Sequence, residues 1–309
     1  MLDILYAFSE VLLPVVVVVL LGYLLRRSFA LDVRTLNRLS LYVLSPCLVF
    51  VTLLRTDIAG DAAVRLALQM ALVVVVSTIC AWLIAIGFRL ASHQRSGFVL
   101  TTSFMNSGNY GLSVARFAFG DVGFQYAVIG YLTQAILAQT LAIYLASSGK
   151  ASHRAAFAQV FRVPLIYAVL LALGLRICGI HLDKTNGVIA VGIYNGLRLA
   201  ADATLPLLLL ILGTQLTERR PIVAGGATAM AVIIRLLLSI PLAFGVGSVL
   251  GLSGMPLHVG TIQAAMPTAV NMIILALEFD AWPEFVSNGV VITTLGSLVS
   301  LTFLIALLR

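Results

Sequence analysis

Ten long apolar runs, joined by connections too short to hold a soluble domain, constrain this chain more than any other feature. They fall at about 4–25, 36–54, 63–90, 97–119, 123–146, 156–178, 196–216, 223–250, 257–277 and 284–308. A helix needs about 20 apolar residues to cross a bilayer, so the 309 residues, with short turns between spans, leave room for roughly ten crossings. Only 10% of residues are charged and the mean hydropathy is +1.09, against about 25% charged in an ordinary soluble domain. The expected fold class is therefore an all-α integral membrane protein of ten transmembrane helices.

Orientation follows from the cations. The first run is preceded by Asp3, contains Glu10, and meets its positive charges, Arg26 and Arg27, only afterwards. That order is the reverse of a cleavable signal peptide and places the N-terminus outside. Cytoplasmic loops then hold Arg26, Arg27, Arg34, Arg38, Arg89, Arg95, Lys150, Arg154, Arg162, Arg219 and Arg220. The outer side holds Arg55, Arg65, Arg116, Arg176, Lys184, Arg198 and Arg309. This is a modest positive-inside bias, weakened by the acids Glu278, Asp280 and Glu284. Ten crossings put both termini on the non-cytoplasmic side. The net charge of +7 is thus a signature of orientation, and nucleic acid is not an expected partner.

Two of the runs are interrupted. The fourth carries Asn106-Ser107-Gly108-Asn109-Tyr110-Gly111-Leu112-Ser113, and the ninth carries Gln263-Ala264-Ala265-Met266-Pro267-Thr268-Ala269-Val270-Asn271. An unpaired polar group in hydrocarbon costs several kcal/mol, so such breaks persist only inside protein or beside a wet cavity. Paired interruptions in corresponding halves are the sequence mark of a transporter's binding site.

The halves correspond through one offset. Pro46 and Pro206, Arg38 and Arg198, Met70 and Met230, and Thr133 and Thr293 are each separated by 160 residues. An ungapped shift of that size superimposes five apolar runs on five. An odd number of spans per half makes the second copy inverted: residues 1–150 form the first five-helix repeat and 151–309 the second. Helices four and nine would then run in opposite senses, each broken near the midplane. The later half-helix of each begins at the midplane, with free N–H groups and positive partial charge suited to an anion. Pro267 suits the first turn of such a half-helix and releases the Gln263 carbonyl.

The candidate substrate-binding residues are Asn106, Gly108, Asn109, Gly111, Ser113, Gln263, Pro267, Thr268, Asn271 and Arg235. Asn106 and Asn109 fit either interhelical hydrogen bonding or ligand contact. Gly108 and Gly111 permit backbone shape. Thr268 and Asn271, three apart, would share one helical face. Arg235 lies mid-span, where an arginine costs about 2.5–3.5 kcal/mol; it snorkels, pairs with a carboxylate such as Glu10 or Asp202, or draws an anion into the cavity. Pro46 and Pro206 are expected as helix kinks. Glu10, Asp202 and Glu278 are candidates for proton coupling.

Four stretches of the chain resemble the auxin efflux carrier family, which includes the plant PIN-type carriers and bacterial permeases for malonate, malate and similar acids. They are Leu13-Pro14 with Gly22-Tyr23-Leu24-Leu25-Arg26-Arg27, Leu44-Ser45-Pro46-Cys47-Leu48-Val49-Phe50, Asn106 through Leu112, and Ala265-Met266-Pro267 with Ala276 through Asp280 and Pro283-Glu284. The resemblance implies ten helices in two inverted repeats, crossing breaks in a mobile transport domain beside a scaffold, elevator-type movement, and often a homodimer. It implies that Asn106 contacts the substrate carboxylate. The chain departs from the pattern at Ser113, where the family has proline, and lacks the long hydrophilic loop of many plant carriers, which suggests a compact bacterial type in the cytoplasmic (inner) membrane.

Several classes are disfavoured. Cys47, Cys80 and Cys178 lack disulfide or metal spacing, as do His93, His153, His181 and His258, so no metal or cofactor is expected. The chain has no Gly-x-x-x-x-Gly-Lys-Ser/Thr phosphate loop and no catalytic constellation that would make it an enzyme. The expected function is a secondary active or facilitative carrier of small mono- or dicarboxylates. The alternatives are a sodium-coupled symporter of the bile-acid type and a transporter-like sensor that does not transport.

Overall fold

The computed structural model describes residues 2–56, 58, 60–147, 164–180, 187–217 and 225–308. These form helices throughout, and one isolated bridge is their only strand-like pairing. We number them α1 (Leu2–Ser28), α2 (Val33–Arg55), α3 (Gly60–Gly87), α4 (Ser92–Ser103), α5 (Ser107–Ala146), α6 (Pro164–Ile177), α7 (Val188–Gln215), α8 (Gly226–Val249), α9 (Gly254–Ala264), α10 (Asn271–Glu278) and α11 (Pro283–Leu308). Seven of these, α1, α2, α3, α5, α7, α8 and α11, are long and apolar enough to cross a membrane. The chain is a multi-pass membrane protein.

The described helices match the expected runs with two adjustments. The seventh begins at Val188, eight residues before Gly196, because Gly192, Asn195 and Gly196 dilute hydropathy without breaking the backbone. The fourth and fifth runs are joined in α5, which turns sharply at Gly120 with φ 65° and ψ −158°; only glycine adopts that conformation at little cost. The start of the sixth run lies outside the described residues, as do Lys150, Arg154, Arg162, Lys184, Arg219, Arg220, Arg309, His153 and His181.

Proline shapes the long helices. A proline ring clashes with the carbonyl four residues earlier, and widened π-type turns at Ala7–Leu12, Ser40–Leu44 and Ile234–Leu238 precede Pro14, Pro46 and Pro241. In each case the displaced carbonyl falls inside the wide turn, so the strain is absorbed locally. Pro206 follows the interruption of α7 at Ala203 in the same way.

The helices sort into two packing groups. In the first, α1 lies on α7 and α2 lies on α6. A Cβ on Gly22 would sit 2.2 Å from the Leu210 carbonyl oxygen, and one on Gly213 would sit 2.0 Å from that of Val19. Backbone thus meets backbone, the packing that small residues permit in membranes. The second group holds α3, α4, α5, α8, α9, α10 and α11. Gln69, fully buried on α3, donates to the Ala243 carbonyl of α8 at 2.8 Å and packs on Gly247 and Gly260, tying α3 to α8 and α9. The two groups meet where α7 faces the break between α4 and α5, where the first part of α1 packs on α5 and α11, and where α2 touches α5.

Candidate functional site

Helix α4 stops at Ser103 and α9 at Ala264, and the two chains leave their helices side by side. The Asn106 N–H donates to the Pro267 carbonyl at 2.7 Å, and the Ala269 N–H donates to the Phe104 carbonyl at 2.9 Å. Met105 and Thr268 face each other between these bonds as an antiparallel pair. A backbone that abandons helix at membrane depth must find other partners, and here each break supplies them to the other.

Thr268 is fully committed. Its hydroxyl donates to the Thr101 carbonyl at 2.7 Å, and its N–H donates to the Thr293 hydroxyl at 3.1 Å. Thr293 in turn donates to Gly289 at 2.6 Å, anchoring the crossing to α11. Three of the expectations for this segment are corrected. Pro267 lies in the extended crossing, ahead of the Val270 N-cap, and not in a first helical turn. The Gln263 carbonyl is taken by the Met266 N–H at 3.3 Å. Thr268 and Asn271 do not share a face, since Thr268 is buried and Asn271 exposed.

On the other strand, Asn106 occupies an inverse γ-turn (φ −81°, ψ 60°), closed by the Ser107 N–H on the Met105 carbonyl at 2.9 Å. Its own carbonyl accepts from Gly111 at 3.0 Å. The side-chain nitrogen Nδ2, by contrast, is buried and unpartnered, as are the hydroxyls of Ser103, Ser107 and Ser113 and both amide atoms of Gln263. A Cβ on Gly111 would lie 2.6 Å from the Gln263 side-chain oxygen, so this glycine admits Gln263 against the break. Gly108 faces the Tyr131 ring in the same manner. Asn109 is half-buried beside it. Each unsatisfied buried group costs about 1–3 kcal/mol; several together mark a place built for water or ligand. The turn opening at Ser107 has no side-chain cap, so its N–H groups keep their positive character.

Arg235 is fully buried. It sits in the π-type turn of α8 and sends its guanidinium between the ends of α4 and α9. Nη1 donates to the Thr102 carbonyl at 3.1 Å, and Nη2 donates to the Ala264 carbonyl. It pairs with neither Glu10 nor Asp202: Glu10 is exposed, and Asp202 faces Arg198 at 3.8 Å. Glu278 is exposed as well.

A cavity of about 550 Å³ opens between the packing groups. Pro14 and Val18 of α1, Ser113, Arg116 and Phe117 of α5, and Asp202, Pro206 and Leu209 of α7 line it. Ser113 is the member of the break that reaches this space, and Pro206 shapes its far wall. A smaller cavity of about 210 Å³ adjoins it and adds Arg55 and Arg198. Arg116 pairs with Asp121 at 3.1 Å. The volume suits a small ligand; the larger cavity sets Arg116 against Asp121 and Asp202, and the smaller one adds Arg55 and Arg198 to the same three groups.

This geometry stands beside clear likenesses. The family profile described as Membrane transport protein matches residues 7–159 and 151–305. The chain belongs to this family, the auxin efflux carriers. An uncharacterised transporter of Methanothermobacter thermautotrophicus is 31% identical over 300 residues, covering 95% of this chain and 96% of that one. An uncharacterised transporter of Methanocaldococcus jannaschii is 23% identical over 303 residues, covering 94% and 95%. As a transporter of the auxin efflux carrier family, the protein is not an enzyme. Composition could not have singled out Thr101 or Ser103, because short hydroxyl residues recur through most of its helices, and Thr293 stood out only as the repeat partner of Thr133. Arg116 was visible only as one loop cation among many, until the fold set it beside Ser113.

Proposed function

We propose that this membrane transporter carries small organic anions, mono- or dicarboxylates, by moving one packing group against the other. The observation that carries the reading is the crossing itself. Two interrupted helices satisfy each other's backbone while leaving the Asn106 amide, the Ser107 and Ser113 hydroxyls and an uncapped helix start unpartnered, and Ser113 opens on a cavity that also holds Arg116. Donors outnumber acceptors there, which favours a carboxylate over a cation. Asn106, Asn109, Ser113 and the N–H groups from Gly108 to Tyr110 contact the substrate. Gln263 lines the floor, Pro267 and Thr268 hold the crossing, and Asn271 opens the second half-helix. Arg235 acts from behind the crossing, with Nη1 and Nη2 on carbonyls and Nε unpartnered.

The architecture in this reading is ten spans in two inverted repeats. Two features support it. The Thr204 hydroxyl donates to the Leu44 carbonyl at 3.1 Å, and these residues are 160 apart, so positions related by the repeat offset touch, as they do near a two-fold axis. The α1–α7 and α2–α6 packings are also the same pairing with the halves exchanged. The group containing the crossing is the moving body, and the α1, α2, α6 and α7 group is the scaffold. The setting is a cytoplasmic membrane, and a homodimer follows from the family likeness.

The test is thermal melting of the purified protein against a panel of small carboxylates, followed by uptake into proteoliposomes. A ligand at 100 times its dissociation constant adds about 2.7 kcal/mol. Stabilisation by one acid, and uptake of that acid, is the expected result. A melt shifted by none of them, with neutral or cationic solutes effective instead, removes the anion reading.

A further inference from the structure

The α4 and α9 C-termini end within reach of one guanidinium, an arrangement with its own electrostatic logic. The last carbonyls of a helix lack intrahelical partners, and each helix end carries roughly half a unit of negative charge. Two ends brought together therefore present about one negative unit, and a single monovalent cation neutralises them. The carbonyl oxygens of Thr102 and Ala264 are hard oxygen donors facing a common point. That point is occupied by Arg235, which cannot lose its proton and reaches from α8, a third helix, through a turn widened by Pro241.

The same device recurs at single helix ends. Arg176 donates to Leu53 and Thr56 at the end of α2, and Arg65 donates to Leu250 and Gly251 at the end of α8, at 3.4 Å each. Both of those arginines lie toward the helix margins. Arg235 is the fully buried instance and the one that serves two ends. It also lacks a repeat partner, since the residue 160 earlier is Val75. The cation is thus supplied once, by the second half, for both breaks.

We propose that Arg235 is a tethered cation: its guanidinium fills a monovalent-cation site formed by the Thr102 and Ala264 carbonyls, and its removal opens that site to a free monovalent cation. The site's chemistry stands independently of the substrate. Its consequence for transport rests on the carrier reading above: with the charge built in, the cycle needs no sodium at the crossing.

The experiment is thermal melting of wild type, R235A and R235K in sodium, potassium or N-methyl-D-glucamine chloride at equal ionic strength, without carboxylate. Wild type should melt at one temperature in all three salts. R235A should melt several degrees lower in N-methyl-D-glucamine and recover in sodium or potassium, or with dilute methylguanidinium. R235K should be indifferent to the salt, its ammonium standing in the site. Where R235A yields no folded protein, R235Q takes its place and should fold only with sodium or potassium present. A wild type selectively stabilised by sodium, or a folded R235A or R235Q equally destabilised in every salt and not rescued by methylguanidinium, overturns the proposal. Because no carboxylate enters the assay, either result leaves the anion reading to its own test.

Discussion

Asn106 and Thr268 sit in the same crossing, yet the structure gives them opposite duties. The Asn106 side-chain nitrogen has no protein partner, so Asn106→Ala should melt close to wild type. A hydrogen bond to a charged group contributes about 1.5–3 kcal/mol; the variant should therefore bind its carboxylate roughly 10- to 100-fold more weakly by calorimetric titration. Thr268→Val reverses the pattern. It leaves the Thr101 carbonyl bare in the core, a loss of about 1–3 kcal/mol that a melting curve will report whether or not substrate is present. Equal stability losses in both variants would make Asn106 a structural residue. The sequence marked both positions as polar within an apolar run. It could not separate them, because the partners of Thr268 are a carbonyl at Thr101 and a hydroxyl at Thr293, both distant along the chain. The case of Arg235 is the same: its partners are main-chain carbonyls, which no residue letter records.

At the scale of elements, hydropathy located the helices to within a few residues wherever a run was uniformly apolar. It placed the start of α7 late, because polar letters on a helix lower the average without ending the helix. The prolines carried more than kinks: Pro14, Pro46 and Pro241 each mark a widened turn, and one of these turns aims Arg235 at the crossing. Glycine distinguishes contact from exposure. Gly213→Val would push a branched side chain into the Val19 backbone and should cost at least the 1–3 kcal/mol typical of overpacking, read as a lower melting temperature. Gly196→Ala, on the same helix α7 with open space around it, should be neutral or gain up to about 1 kcal/mol from helix propensity. Were the two changes equivalent, the α1–α7 contact would not be close-packed. At the head of α2, Asp32 accepts from the Thr35 hydroxyl at 2.6 Å and the Arg34 N–H at 3.0 Å. The Thr35 bond chiefly holds its carboxyl below the usual carboxylate range. A depressed folded value means the cap is intact above the unfolded pKa and is lost as pH falls through the folded one. Asp32→Asn should flatten any acid-side loss that this cap contributes.

For the whole molecule, the proposed movement turns on the two packing groups, since alternating access is largely the rigid-body motion of one bundle against another. The 550 Å³ cavity is lined by Ser113 from the group that holds the crossing and by Leu209 from the other. A tether between these positions should lock the carrier while leaving its binding groups in place. The chain's own cysteines, Cys47, Cys80 and Cys178, are free and can first be replaced by serine. In that background, Ser113→Cys with Leu209→Cys, joined by a short bifunctional thiosulfonate, should form an intramolecular link and stop carboxylate uptake into proteoliposomes; reductant should restore it. Each single cysteine, treated alike, should keep transporting. Serine 113 belongs to the candidate site, so the single Ser113→Cys variant sets the reference rate, and the comparison is between linked and reduced forms of one protein. Undiminished uptake by the linked form would mean that the groups do not slide past each other at this face, and that the substrate moves through a static pair of half-helices instead.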